Sequence, residues 1–468
     1  MVIHPHVPPA SSTTSETLVP KRPSVQILGG GLAGLATAYY ARRHGIEAEV
    51  FEAAPHVGGN ARTLRFGDQL VDTGAHRLHD KHPAATAAFR ELLGPAMQRV
   101  EVPSQIVWRG RGIEFPLRPL DAARQMGRLP LLRVLAENVF RRRDRTPPET
   151  LEALALQRYG PTLARAFLLN YSEKLWGLPA DRLDVRVAGG RLRGLTLGTL
   201  ARELVFGARK ATAHLDGAFY YPTQGFGMLV DALADAIGAE RLHTAAPVQR
   251  VAHNGRRIQT VTVGDRSPQR AGAVVSTVPL PRFLALLDPA PPPDVLAAAE
   301  ALRYRHLRLA VVRLAQSSVS PFASLYFPEP HVPFTRLYEP KNRSAALAPP
   351  DRTAAVLEVP CQSEDAWWTM PDVEFAREVV AALQATPVET GPVLGVDSVR
   401  LAHAYPVLAA GSSAHAERLL AYAARFENLT LAGRTGTFRY LHTHDLFAEA
   451  KAWAEEFEAQ KHAGADLC

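Results

Sequence analysis

An α/β fold is predicted by three observations. A short apolar strand over 25–29 (VQILG) runs into three consecutive glycines. A helix is expected directly after it, over 32–44, where small residues at Ala33, Gly34 and Ala36 allow close packing. A second strand over 47–51 (EAEVF) completes the start of a βαβ unit.

The rest of the chain alternates in the same manner. Helices are expected over 84–94, 121–140, 149–170 and 226–238. In the third of these, Leu151, Leu154, Leu156, Leu163, Phe167 and Leu168 supply apolar faces. A strand-rich stretch covers 247–277, and Pro289, Pro291, Pro292 and Pro293 mark a linker. Alternating segments at 306–315, 323–328 and 353–359 predict an antiparallel sheet. A last strand over 428–432 leads into a closing helix over 444–459.

The chain has 468 residues, enough for two or three domains. It is 47% hydrophobic and 21% charged, the balance of a soluble globular protein. No apolar run reaches the roughly 20 residues that cross a bilayer. Residues 1–22 hold Pro, Ser and Thr but no apolar segment, so they are read as a disordered tail. Two cysteines, Cys361 and Cys468, exclude a disulfide framework and a thiolate metal cage, and the cytoplasm is the expected compartment.

The net charge is +7, and 46 of the 53 basic residues are arginine. A cluster runs from Arg109 to Arg145 and includes Arg141, Arg142 and Arg143. Three readings of it stand: a solvated face, a peripheral contact for acidic membrane lipids, or a contact for an anionic substrate. Nucleic acid is disfavoured as a partner because no recognised binding motif accompanies the charge. The residues carry no signal for an oligomeric state.

The chemistry begins at Gly29-Gly30-Gly31-Leu32-Ala33-Gly34, which fits G-x-G-x-x-G. Gly29 permits a tight turn, Gly31 lets the backbone approach a pyrophosphate, and Gly34 lets helix pack on strand. The helix N-terminus then offers free N–H groups to phosphates. Glu52 closes the second strand 23 residues after Gly29, where a carboxylate can accept hydrogen bonds from an adenosine ribose. Together these features predict a Rossmann-type dinucleotide-binding unit.

A second feature distinguishes FAD from NAD. Gly58-Gly59-Asn60-Ala-Arg62 resembles the diglycine segment of the two-dinucleotide-binding-domain flavoproteins. The segment around Gly74 and His76 resembles the one that lies against the flavin ring in that superfamily. Pro247-Val248 resembles the superfamily's strand whose backbone meets the adenine, and Leu431-Ala432-Gly433-Arg434 resembles its C-terminal strand and turn that close over the cofactor. The chain thus resembles the FAD-dependent amine oxidase and protoporphyrinogen oxidase-like superfamily over 25–459.

Within it, several segments are similar to the UDP-galactopyranose mutase-like branch. Tyr171-Ser-Glu-Lys174-Leu-Trp176-Gly177 resembles Y-T-x-K-Q-W-G, Val332-Pro-Phe-Thr335-Arg336 resembles V-P-Y-T-R, and Tyr405-Pro406 resembles a Y-P pair. The run from Gly433 to Leu441 resembles G-R-L-G-T-Y-x-Y-L. The resemblance implies that Tyr171, Trp176, Arg336, Tyr405 and Tyr440 line a substrate pocket, with Arg336 facing a diphosphate, and that His76 borders the flavin. Departures accompany it. The second mutase arginine falls on Leu195, in the stretch Gly190–Leu195, and the expected acid after Tyr440 is His442. The stretch from Phe219 to Gly227 is closer to the Y-P-x-x-G-x-G of protoporphyrinogen-oxidase-like proteins. His442 and His444 have H-x-H spacing, but no acidic cluster joins them, and no metal is expected.

These features predict an FAD-dependent oxidoreductase that oxidises a small organic substrate by hydride transfer to flavin N5. The alternative is a redox-neutral mutase acting on a nucleotide-linked sugar through reduced flavin. The expected architecture is a discontinuous Rossmann-type FAD-binding domain over 23–100, 215–285 and 425–462. A helical substrate region over 101–214 and a sheet-bearing substrate region over 286–424 complete it.

Overall fold

The computed structural model describes residues 25–115, 127–140, 146–188 and 218–463. The glycine turn follows Val25–Leu28, the central strand of a five-stranded parallel sheet. Its order is Leu429–Leu431, Val274–Ser276, Val25–Leu28, Ala48–Phe51 and Leu242–His243. Val25–Leu28 is buried along its whole length. That continuous apolar run is what a parallel strand covered on both faces requires.

One face carries the helices Leu32–Arg43, Gly227–Ile237 and Thr443–His462, joined in a core that includes Leu35, Tyr40, Val50, Leu233 and Phe447. The other face carries the antiparallel strands Val248–His253 and Ile258–Val263. The helices Leu280–Ala285, Pro293–Glu300 and Ser412–Ala423 pack on that side through Phe283, Leu284, Val295 and Leu419. Pro292 and Pro293 therefore do more than link: Pro293 opens a helix, where its missing N–H has no cost.

A seven-stranded sheet forms the second layer. Its order is Val393–Pro406, Tyr304–Leu314, Thr353–Cys361, Arg336–Tyr338, Leu325–Tyr326, Ser104–Trp108 and Arg111–Phe115. All pairings are antiparallel except Leu325–Tyr326 beside Ser104–Trp108. The expected strands over 306–315, 323–328 and 353–359 are present. Two corrections apply to the neighbouring regions. The start of the 101–214 region is strand, not helix: Ile106, Val107 and Ile113 are buried in a hairpin that extends this sheet. The long helix expected over 149–170 is broken. Leu151–Leu163 contains Gly160 at φ 77° and Pro161, a π-helical turn spans Ala164–Leu169, and a new helix runs over Asn170–Trp176. Proline removes a backbone donor and clashes with the preceding turn, so the chain reorganises there. The helix expected over 121–140 is described over Arg128–Phe140. The stretch Gly190–Leu195 and the arginines 141–143 lie outside the described residues. Among the described residues no helix is long and apolar enough to cross a membrane.

One close contact fixes the arrangement within each layer. A β-carbon added at Gly34 would lie 2.0 Å from the Gly29 carbonyl oxygen, so the first helix rests directly on the glycine turn. In the seven-stranded sheet Arg336 stands opposite Glu358, and the guanidinium clasps the carboxylate at 2.6–2.9 Å through Nε and Nη2. The Glu358 side chain is almost wholly buried.

Gly34→Ala is expected to destabilise the fold by about 2 kcal/mol through overpacking, although alanine is the better helix former. Denaturant unfolding reads this, and a midpoint equal to the parent's overturns it. Glu358→Gln leaves Arg336 buried beside a neutral amide and is expected to cost about 3 kcal/mol. The double variant Glu358→Gln/Arg336→Met recovers part of that loss. Equal midpoints for Glu358→Gln and the parent would show that the pair contributes nothing.

Candidate functional site

The glycine turn is shaped by close approach. Gly29 has φ +105°, and a β-carbon there would lie 2.2 Å from the Thr277 Oγ1, which donates to the Leu28 carbonyl at 3.1 Å. The diglycine segment docks against the turn: Gly58 N–H donates to the Gly30 carbonyl at 2.8 Å, and a β-carbon on Gly59 would lie 3.2 Å from the Gly31 α-carbon. The helix Leu32–Arg43 begins with no side-chain cap and no acid in its first turn. Its leading N–H groups are therefore uncapped by any side chain, next to the turn formed by Gly29, Gly30 and Gly31. That surface suits a pyrophosphate.

Glu52 lies where the sequence expects it. One oxygen accepts Gly30 N–H at 2.7 Å and the other accepts Ala54 N–H at 2.8 Å. Each oxygen keeps a lone pair for a ribose hydroxyl. Ala246 N–H donates to the Glu52 carbonyl, which brings the start of the strand at Val248 close to the same carboxylate. The C-terminal turn closes from the other side, since a β-carbon on Gly433, at φ +76°, would lie 2.7 Å from that of Ala33. These contacts fit a dinucleotide.

The segment after the diglycine leads inward. Arg62 donates from Nε to the Gly59 carbonyl at 3.1 Å, and burial lowers its pKa. Asn60 donates to the Ala402 carbonyl at 3.1 Å and accepts His76 Nε2–H at 3.0 Å. Gly74, at φ +148°, packs against the His76 ring. Burial first, then the charges of Arg434, Arg343 and Arg336, push His76 down to about 3. His76 is therefore a neutral hydrogen-bonding ring at pH 7 and a poor general base.

The expected pocket residues gather into an aromatic wall. Trp176 lies 5.9 Å from both Tyr405 and Tyr440, and those two rings are 5.8 Å apart. Tyr171 packs edge-on to Tyr326 at 5.9 Å. Trp176 ends its helix because Gly177 takes the left-handed cap, where a side chain would strike Arg305. Lys174 anchors the same helix through the carbonyls of Glu329, Val332 and Phe334 at 2.9–3.0 Å. Burial draws Lys174 down to about 7, and three carbonyl acceptors oppose this by favouring the ammonium.

Two arginines have roles different from those expected. The Arg336 fork is matched to Glu358 rather than open to a diphosphate, leaving only Nη1 without a hydrogen bond among the described residues. Burial opposes its charge, but the Glu358 carboxylate prevails and holds its pKa above the ordinary value. Arg434 donates to the carbonyls of Ala404 and Leu441 and lies over Tyr405 and Tyr440 at 5.4 and 5.1 Å. It braces the aromatic wall. His442 starts the helix Thr443–His462 in a reciprocal capping arrangement with Asp445, which explains why no acid is needed there.

The sequence reading missed three residues. Glu358 also accepts Ala75 N–H at 3.2 Å, so it joins the glycine segment to the sheet. Arg343 is buried, lies 4.5 Å from the Tyr338 ring, and has no partner at Nε or Nη1 among the described residues. Arg77 donates from Nη2 to Ser104 Oγ and Ser324 Oγ, both at 3.2 Å, and lies 4.8 Å from the Phe219 ring. Among the described residues no carboxylate lies within ion-pair distance of Arg77. Burial lowers its pKa to about 10, so it stays charged at neutral pH. Its signal was present in Gly74-Ala75-His76-Arg77, where a cation directly follows the glycine segment.

Known proteins share this fold. The chain is 29% identical over 296 residues to a phytoene dehydrogenase of Streptomyces griseus, covering 57% of this chain and 56% of that one. It is 27% identical over 307 residues to a putative flavin-containing monoamine oxidase of Mycobacterium tuberculosis, covering 60% and 63%. The matches thus span less than two thirds of either relative. Among solved structures, reduced UDP-galactopyranose mutase superposes with a TM-score of 0.81 at 18% identity, over 93% of this chain and 95% of that one. A putative protoporphyrinogen oxidase from Exiguobacterium sp. 255-15 gives 0.73 at 20% identity, over 94% and 99%. These likenesses give the fold. Residues 32–435 match the family of flavin containing amine oxidoreductases. The chain belongs to that family, and its cofactor is a flavin.

Proposed function

We propose that the protein is an FAD-dependent oxidoreductase whose substrate is a small organic molecule carrying an acidic group. The observation that carries this reading is Arg77, a largely enclosed guanidinium held by two serine hydroxyls, with no carboxylate within ion-pair distance among the described residues. A buried cation without a counter-charge is costly unless a ligand supplies one. A substrate carboxylate or phosphate would do so with a charge-assisted hydrogen bond.

The remaining residues complete the reading. Bound flavin supplies a two-electron acceptor for a substrate C–H bond. Trp176, Tyr405 and Tyr440 present an apolar wall that orients the substrate and excludes water. Tyr171 and Tyr326 stand near Arg336, whose Nη1 is a second donor for the acid. His76 stays neutral and holds Asn60 through its carbonyl. Support for the cofactor unit over 23–100, 215–285 and 425–462 comes from the parallel sheet, whose strands are drawn from all three ranges. The proposed unit acts in the cytoplasm. A peripheral membrane contact is included, because Leu129 and Leu132 are exposed on the helix Arg128–Phe140.

A second reading, a mutase acting on a nucleotide-linked sugar, is favoured by the packed Trp176, Tyr405 and Tyr440 rings at the positions the resemblance names. It ranks below the first because Glu358 already matches the Arg336 fork. Titration of UDP into the anaerobically reduced protein separates the two. Saturable micromolar binding favours the mutase, and no binding at millimolar UDP removes it.

For the first reading, anaerobic mixing with a panel of amino and hydroxy acids is expected to bleach the oxidised flavin with at least one acidic compound and not with its amide. Arg77→Leu is expected to retain its flavin and to need about tenfold to a hundredfold more of that compound. Equal response of Arg77→Leu and the parent overturns the acidic-substrate reading.

A further inference from the structure

A bulge in the strand Val393–Pro406 serves two places at once. Against the strand Tyr304–Leu314, Arg305 pairs with Tyr405 and Leu307 with Leu401. Residues 402, 403 and 404 therefore stand opposite His306 alone. Such bulges re-aim side chains and occur beside functional sites. On the flavin side, the Ala402 carbonyl accepts from Asn60, the Ala404 carbonyl accepts from Arg434, and Tyr405 joins the aromatic wall.

His403 faces a different opening. It has φ +52°, a left-handed backbone that is strained for a residue with a side chain. Its N–H donates to His306 Nδ1 at 3.0 Å. Its ring lies 5.3 Å from Tyr304 and 5.5 Å from His306, and His306 stacks on Trp368 at 4.8 Å. Tyr304, His306 and His403 line a cleft of about 440 Å³ that also takes in Arg282, Arg303 and Glu364.

The cleft has donors in excess. Because His306 Nδ1 accepts, the neutral ring carries its proton on Nε2. That N–H has no acceptor among the described residues. Arg282 and Arg303 have no ion pair among the described residues; Glu364 bears on Arg303 and His306, and Asp365, whose own partner is Arg305, also bears on His306. We propose that this cleft is a second binding site, for a small oxyanion such as an organic phosphate or carboxylate, held by Arg282, Arg303 and His306 Nε2–H, and coupled to the flavin side through residues 402–404. An anion that draws on His306 moves the backbone N–H that His306 accepts. The same three-residue bulge carries the carbonyls that hold Asn60 and Arg434. Coupling thus has a contiguous physical route. The inference requires the family's flavin but not the acidic substrate proposed above.

The test titrates inorganic phosphate into the flavin-loaded protein at constant ionic strength, with calorimetry and the flavin spectrum recorded together. Saturable binding with a spectral change is expected. The double variant Arg282→Ala/Arg303→Ala is expected to weaken phosphate by about tenfold or more and to abolish the spectral change. These titrations are made in the Arg77→Leu background, where phosphate has no ligand at the proposed substrate site and the signals that remain belong to the cleft. His403→Gly suits the left-handed backbone and removes the ring, and it is expected to diminish the spectral change. Binding that survives in the double variant overturns the site, as does absence of saturation by about 50 mM phosphate. Saturable binding at the cleft with an unmoved flavin spectrum overturns the coupling.

Discussion

The Glu358 carboxylate is the constraint on which the rest of the site depends. It is nearly inaccessible to water, so its charge must be answered from within the protein. Arg336 answers it across one pair of neighbouring strands, and Ala75 N–H answers it from the glycine segment. One side chain thereby fixes the distance between the seven-stranded sheet and the loop that carries Gly74, His76 and Arg77. Tyr338 Oη, which donates to the Asp72 carbonyl at 2.6 Å, ties the same sheet to the strand that leads into this loop. The Asn60–Ala402 and Arg434–Ala404 hydrogen bonds repeat the connection on the far side.

The charges around this point do not balance. Arg336, Arg343 and Arg434 all bear on His76, and Arg77 lies beside the same group. The buried carboxylates that face them are Asp72 and Glu358. Asp72 accepts from Thr63, Tyr221 and the Phe226 N–H, and burial raises its pKa, so it offsets the cations only in part. An interior with surplus guanidinium favours any ligand that brings negative charge. The same surplus keeps His76 neutral, which restricts it to hydrogen bonding.

Much of the fold was legible in the sequence, and the reason is local. Gly29 and Gly34 are glycines because the Thr277 hydroxyl and the Gly29 carbonyl leave no room for a β-carbon, whereas one on Gly31 would meet only the Gly59 α-carbon, at 4.0 Å. Such steric demands leave the same mark wherever a strand turns into a helix over a phosphate. The aromatic positions Trp176, Tyr405 and Tyr440 were found by resemblance, and the structure brings them within 6 Å of one another. What was not legible depends on long-range pairing. Arg336 looked like a phosphate ligand because nothing in Val332–Arg336 reveals that Glu358 will stand opposite. The hairpin over residues 104–115 was read as part of a helical region because its sheet partner, Leu325–Tyr326, is two hundred residues away in sequence.

The arginines divide by the same logic. Arg434 is surrounded by carbonyls, Arg336 by a carboxylate, and Arg77 by two hydroxyls. Carbonyls satisfy the donors but leave the charge, a carboxylate cancels the charge, and hydroxyls do least to offset it. Residues that brace a fold are therefore expected to sit among carbonyls or carboxylates. The residue left with the weakest partners is the one whose surroundings are completed by something outside the chain. By that criterion Arg77 is the arginine proposed for the substrate, and Arg336 is held chiefly by Glu358.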